Sequence, residues 1–338
     1  MRTGLIEIDP KTFIWMIDIH HIVSDGVTQF NLMQDFSNLY QGKELPEPTV
    51  HYKDFSQWQN QRFASGGINP QETYWVNRFK VGVPLLQLPT DFPRPRVKKY
   101  SGSDVGFKLG EERSRRIYHL VEETGATLYM VLLAVYSLLL SKYSGQEDIV
   151  TGSPVTGRSH KDLETTMGLF VNMLAMRTRP CKSKTFRVFL EEVKHDALDA
   201  FENQEYQFPQ LLKQLGLKRV SNRNPLFDVV FQLNNIDSLS SINIPGLKTE
   251  PYGFVNSRCQ FDMILTAAES DGDIGFNLSY STELFKKDTA KKFTQRFLEV
   301  IDQVIGDEKI KIGDVQLSHH LILSTSTTLA SDQGDFNF

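Results

Sequence analysis

Ile19-His20-His21-Ile22-Val23-Ser24-Asp25-Gly26 is the stretch whose reading decides the rest of the chain. Ahead of it, Phe13 to Ile19 is apolar and extended in pattern, which predicts a buried strand running into two histidines. Behind it, an Asp-Gly turn leads into Val27, Phe30, Met33, Phe36 and Tyr40, spaced as on the apolar face of a helix. Successive strand side chains leave opposite faces, so His20 and His21 cannot both enter one cleft while the backbone stays extended, and one of them is structural. An imidazole has an unperturbed pKa of about 6.5, so near neutral pH the other can take a proton from a nucleophile and return it to a leaving group. On these eight residues alone, two core histidines satisfied by backbone groups read equally well. A metal site reads less well. His21 and Asp25 have a ligand-like separation, but zinc takes three or four ligands and no further His/Cys cluster lies nearby.

With 338 residues, 40% apolar and 23% charged, the chain has globular composition and a length that suggests about two domains. A net charge of −4 without long basic runs argues against a nucleic-acid surface. The short basic run from Arg94 to Lys99 is broken by Pro95 and reads as a solvated connector. Cys181 and Cys259 make neither a disulfide framework nor a metal set, which fits a reducing cytoplasm. The N-terminal residues lack the apolar core of a signal peptide. Leu128 to Leu140, the most apolar stretch, is short of the roughly 20 residues that cross a bilayer. It reads as a helix buried on most sides, and no membrane partner is expected.

Gly4 to Asp9 and Thr12 to Ile19 read as strands on either side of Pro10-Lys11. Helices follow from His51 to Ala64 and from Glu72 to Lys80, and prolines at 84, 89, 93 and 95 then forbid regular structure. A strand over Ser103 to Leu109 precedes an amphipathic helix over Glu111 to Gly125, with Ile117, Leu120 and Val121 inward. Thr127 starts the apolar helix and Gly145 ends it. Asp148 to Arg158 reads as a strand and a glycine-rich loop that lacks any phosphate-cradling pattern. In the apolar run Met167 to Met176, Asn172 alone has strong hydrogen-bonding capacity. Buried, it needs a partner, and substrate contact and backbone tether are both open. Phe186, Phe189, Leu190, Val193, Ala197, Leu198 and Phe201 mark the apolar side of another helix. Gln260 to Ala268 and Asp273 to Tyr280 form a hairpin around Ser270-Asp271-Gly272. A helix over Lys287 to Val304 and a short strand over Ile310 to Leu317 complete the pattern.

The opening stretch resembles the HHxxxDG motif of condensation domains in nonribosomal peptide synthetases, part of the acyltransferase superfamily that includes chloramphenicol acetyltransferase. Further matches support it. Tyr52-Lys53-Asp54-Phe55-Ser56-Gln57-Trp58 is similar to YxDF(A/S)xW, Leu86 to Pro95 resembles the LxLPTDxPRP connector between two lobes, and Ser221 to Phe231 follows SRNPLFDVxF. Gly168 to Arg177 is similar to GxFVNTxxxR with Met173 in place of the usual threonine. Asn203 to Pro209 resembles (H/N)QDYPFE with Glu205 for aspartate and the proline displaced. One departure is larger: 19 residues precede His20, whereas in the family this motif closes the larger part of an N-terminal lobe.

The resemblance implies an α/β, chloramphenicol acetyltransferase-like two-lobe fold with a partial N-terminal lobe and a complete C-terminal lobe. Residues 1–100 would hold the end of the N-lobe and the connector, 101–318 the C-lobe, and 319–338 a linker toward an adenylation domain. The implied reaction is amide-bond formation between a donor thioester and the α-amine of an acceptor aminoacyl thioester. Both would arrive on the 4'-phosphopantetheine arms of upstream and downstream peptidyl carrier proteins, with no cofactor bound permanently and no metal. His21 would stand beside the attacking nitrogen. An α-amine of pKa about 7.7 to 8.0 is partly neutral at pH 7, so base and positioning group both remain open for it. Gly26 would offer an unobstructed backbone N–H there, Asp25 would brace the turn through an arginine, and His20 would be structural. Asn172 is a candidate for the substrate cleft. Epimerization domains, coenzyme A-dependent acyltransferases and an inactive carrier-docking remnant are the rival readings.

Overall fold

Two separate sheets carry the strands. The computed structural model describes residues 1–218, 220–234, 244–250, 252, 258–270 and 272–318, and every structural statement below refers to these. The 319–338 linker expectation and Asp271 of the expected hairpin turn lie outside them.

The first sheet is a ribbon of β1 (Arg2–Asp9) and β2 (Thr12–Asp18), antiparallel with Leu5 opposite Trp15. Helix α1 (Gly26–Tyr40) packs on it through Trp15 and Phe36, whose ring centroids are 4.2 Å apart. The expectation of a buried strand over Phe13 to Ile19 is not met. Phe13 and Met16 are 47% and 49% exposed, because a two-stranded ribbon with one helix beside it has too few neighbours to cover apolar residues on both faces.

Helices α2 (Tyr52–Ala64) and α3 (Asn69–Phe79) lead to the second sheet. It is built from β3 (Gly102–Lys108), β4 (Ile149–Val155), β5 (Asn172–Thr178), β6 (Val229–Asn234), β7 (Met263–Ser270) and β8 (Asp273–Ser281) in the order β3-β8-β7-β6-β4-β5. β6 runs parallel to β4 and β7, and the other pairs are antiparallel. Helices α4 (Glu111–Thr124), α5 (Leu128–Ser144), α6 (Phe186–Glu202), α7 (Phe208–Gln214) and α8 (Lys287–Gly306) complete this body. The ends of α5 follow from two side chains. Thr127 caps it by accepting the Met130 N–H, and Gly145 lets the chain leave in the left-handed region at φ 71°. Between them nearly every side chain is buried, as a helix contacting β4, β6, α4, α6 and α8 requires.

Packing does not break at residue 100. Trp75 and Phe79 of α3 belong to the core of the six-stranded body, and the Trp75 indole N–H donates to the Asn203 carbonyl at 2.8 Å. The proline-rich connector is tied down along its length. Asp91 N–H donates to Leu284 O, Lys98 N–H to Ser221 O, and Arg94 forms an ion pair with the buried Asp262.

Two smaller expectations fail. The stretch over Ile310 to Leu317 makes a short 3₁₀ turn, Ile312–Asp314, in place of a strand. Lys311 makes one isolated antiparallel bridge with Thr185, and the Ile312 and Gly313 N–H groups donate to the Lys184 and Lys182 carbonyls, so the pairing stays a single bridge outside both sheets. Leu198 is 46% exposed although its neighbours Ala197 and Ala200 are buried.

Candidate functional site

β2 ends at Asp18, and the two histidines enter a 3₁₀ turn, His21–Val23. Their divergence therefore has a different cause from strand alternation. His20 caps the turn, its Nδ1 accepting the Ile22 N–H at 3.0 Å. His21 Nδ1 lies 2.6 Å from the Ser24 carbonyl. A carbonyl oxygen can only accept, so Nδ1 carries the hydrogen and in the neutral ring Nε2 keeps its lone pair. Both histidines are exposed, while Ser24 and Asp25 just after them are buried.

Asp25 is the fixed point of the site. Its carboxylate accepts the Thr28 N–H at 2.8 Å, which caps α1, and the Phe170 N–H at 3.0 Å. It also pairs with Arg158 through Nη1 at 2.7 Å and Nη2 at 3.1 Å, both side chains being almost fully buried. Burial pushes the Asp25 carboxyl up, but the bonds from Arg158, Thr28 and Phe170 outweigh it and hold its pKa below the usual carboxylate value. Arg158 has further anchors in the Leu163 and Thr166 carbonyls, and its guanidinium lies 4.2 Å from the Phe170 ring centroid. Gly157 makes this approach possible: at φ 65° a Cβ would lie 1.9 Å from the Phe170 carbonyl oxygen.

A group whose folded pKa is depressed stabilises the fold above its unfolded pKa, and that stability is lost as pH falls through the folded value. The unfolded reference for Asp25 is 3.8. The melting temperature is therefore expected to decline below about pH 4, and Asp25→Asn to flatten part of that decline. Calorimetry on both proteins from neutral to acid pH checks it, and identical slopes would remove Asp25 from the acid limb.

Gly26 is the first residue of α1 and exposed. A Cβ there would meet no atom within 4 Å, and its N–H has no partner among the described residues. Asn172 takes the tether role of the two left open. Its Nδ2 donates to the Gln204 and Tyr206 carbonyls, both at 2.9 Å, and its Oδ1 accepts the Phe208 N–H at 3.0 Å. At 3% exposure it clamps a backbone loop and has little capacity left for a substrate. Phe55 and Trp58 pack as their spacing predicts, ring centroids 5.8 Å apart, and Phe55 rests on Phe170 at 4.7 Å.

The family model for the condensation domain matches residues 1–320. The chain belongs to the condensation-domain family. Over 317 residues it is 44% identical to tyrocidine synthase 3 of Brevibacillus parabrevis, covering 94% of this chain and 5% of that protein. Gramicidin S synthase 2 of Brevibacillus brevis is 43% identical over 319 residues, covering 94% of this chain and 7% of that one. This condensation domain thus spans a small fraction of the relatives it matches. Among solved structures, a four-domain nonribosomal peptide synthetase bound to AMP and glycine matches with a TM-score of 0.84 at 22% identity, over 94% of this chain and 25% of that one. The X-domain from teicoplanin biosynthesis matches at 0.84 and 24% identity, over 93% of this chain and 74% of that one. The fold is the chloramphenicol acetyltransferase-like α/β fold.

In the sequence Arg158 stands only as the end of a glycine-rich loop. Nothing local names its partner, which lies 133 residues earlier. Among the described residues no group of three His, Cys, Asp or Glu side chains is placed to hold a metal. Among the described residues no single helix is long and apolar enough to cross a membrane.

Proposed function

We propose that this condensation domain joins an acceptor aminoacyl thioester to a donor acyl or peptidyl thioester. The acceptor α-amine attacks the donor carbonyl. An N–C bond forms, the C–S bond breaks, and the proton lost by the amine ends on the departing thiol. The observation that carries this reading is the His21 ring, whose Nδ1–H is held on the Ser24 carbonyl while Nε2 stays free and exposed. An acceptor nitrogen there can take a hydrogen from the amine or steady the developing charge. Gly26 N–H, at the positive end of α1, is available to a developing oxyanion.

Asp25 stays out of the chemistry in this scheme, its carboxylate being fully occupied in holding the turn. The 4'-phosphopantetheine arms of upstream and downstream carrier proteins deliver the substrates, an adjacent adenylation domain loads one of them, and the setting is cytoplasmic. The large synthetases among the relatives support this organisation. Residues 1–100 then serve as the end of one lobe with its connector, 101–318 as the other lobe, and 319–338 as the path to the next domain.

The test is transfer between carriers. The full-length polypeptide carrying this domain is given donor and acceptor carriers loaded with aminoacyl groups of different mass, and the acceptor is followed by mass spectrometry. Gain of the donor acyl mass on the acceptor nitrogen is expected. An unchanged acceptor, or transfer only from free acyl-coenzyme A, would overturn the proposal.

A further inference from the structure

Thr28 lies three residues beyond Asp25, in the first turn of α1, and is 4% exposed. A threonine hydroxyl has one hydrogen to donate and two lone pairs. All three are in use. Oγ1 donates to the Gly168 carbonyl at 2.7 Å, accepts the Gly168 N–H at 3.0 Å and accepts from Arg158 Nη2 at 3.1 Å. One side chain thus holds both backbone groups of a residue 140 positions away, together with the arginine that braces Asp25.

Gly168 is held from its other side as well. A Cβ there would fall 2.2 Å from the Tyr52 ring, and the Tyr52 hydroxyl donates to the Leu169 carbonyl at 2.8 Å. The next residue, Phe170, returns its N–H to Asp25. The bonds close a circuit: Asp25 to Arg158, Arg158 to Thr28, Thr28 to Gly168, and Phe170 back to Asp25.

We propose that Thr28 is a positioning residue for His21. Its hydroxyl locks the 168–170 backbone and Arg158 against the start of α1. Asp25 is fixed by that lock, and the Ser24 carbonyl that orients the His21 ring belongs to the adjoining residue. A buried threonine serving only local packing would not need all of its hydrogen-bonding capacity spent on a distant peptide and on the same arginine that Asp25 uses. The proposal rests on the reading of His21 as the group that meets the amine.

Thr28→Val keeps the shape and removes all three bonds, leaving the Gly168 N–H and carbonyl without partners and Arg158 Nη2 with only Asp25 and the Thr166 carbonyl to hold it. Thr28→Ser keeps the hydroxyl. Nitrogen-15 NMR of the neutral His21 ring, assigned by its loss in His21→Gln, is expected to show the Nδ1–H tautomer in the parent and in Thr28→Ser. Thr28→Val should shift it toward the Nε2–H form that unconstrained imidazoles favour. In the carrier assay Thr28→Val should lose about 100-fold in kcat, the scale of a misplacement of about 1 Å, with KM for the acceptor carrier little changed. Thr28→Ser should recover most of it. If Thr28→Val does not fold, Thr28→Ala, which leaves room for a water in place of the hydroxyl, is scored by the same readouts. A folded Thr28→Val protein with the parent tautomer and parent turnover overturns the proposal, as does Thr28→Ser impaired as badly as Thr28→Val. A shifted tautomer with normal turnover supports the positioning and overturns the His21 reading instead.

Discussion

Asp25→Ala is expected to destabilise the protein by on the order of 3 to 5 kcal/mol, the scale of breaking a buried ion pair from one side. Arg158 would keep its charge in a pocket where its side chain is 3% exposed, with carbonyls left to share its hydrogens but no anion. The loss of the α1 cap and of the Phe170 acceptor adds to the cost, each group left unmade being worth about 1 kcal/mol or more. Removing both charges is a different experiment. Asp25→Ala combined with Arg158→Met should recover part of the loss, since paired buried charges are frequently replaceable by apolar groups. Thermal and denaturant unfolding of the two singles and the double measure this. An unchanged melting temperature in Asp25→Ala with lost activity would move Asp25 into the chemistry.

His21→Ala should leave the fold intact and stop most of the reaction. The ring is exposed and its one hydrogen bond is local, so little stability depends on it. Turnover in the carrier assay should fall by at least roughly 100-fold, the usual effect of losing a positioned acid or base, which corresponds to about 2.7 kcal/mol of barrier. His20→Ala is the control. It loses a cap on a three-residue turn at the surface, so a small loss of stability and near-parental turnover are expected. Equal catalytic losses in the two folded variants would show that the roles of the pair are wrongly divided.

Elements with local signals were legible in the sequence. Thr127 and Gly145 bracket α5 by cap chemistry that depends on neighbouring residues, and the alternation before and after residue 271 appears as β7 and β8. Burial was harder to read, because it depends on what lies across from a residue. Phe13 and Ile14 look alike in sequence, yet one is exposed and the other partly covered. The site divides in the same way. The histidines and Asp25 stand together in eight residues, but Arg158 and Phe170 reach Asp25, and Gly168 reaches Thr28, through contacts spanning 133 to 145 positions. No periodicity reports such pairings. Asn172 fell between the two cases. Its polarity in an apolar run signalled a necessary partner, and only the fold identified the 204–208 backbone as that partner.

The tied-down connector bears on how such a domain can be recombined. A chimera joined at residue 100 would pair one parent's Asp91, Arg94 and Lys98 with another parent's Ser221, Asp262 and Leu284. A mismatch at Arg94 or Asp262 would strand a buried charge at the splice, whereas the two backbone bonds need only the same chain path in both parents. A junction placed between α1 and α2 leaves that stitching within one parent. It must still preserve across parents the compact set centred on Asp25, Thr28, Arg158 and Gly168, which a joint at residue 100 splits as well, so the earlier joint leaves fewer contacts for the donors to match.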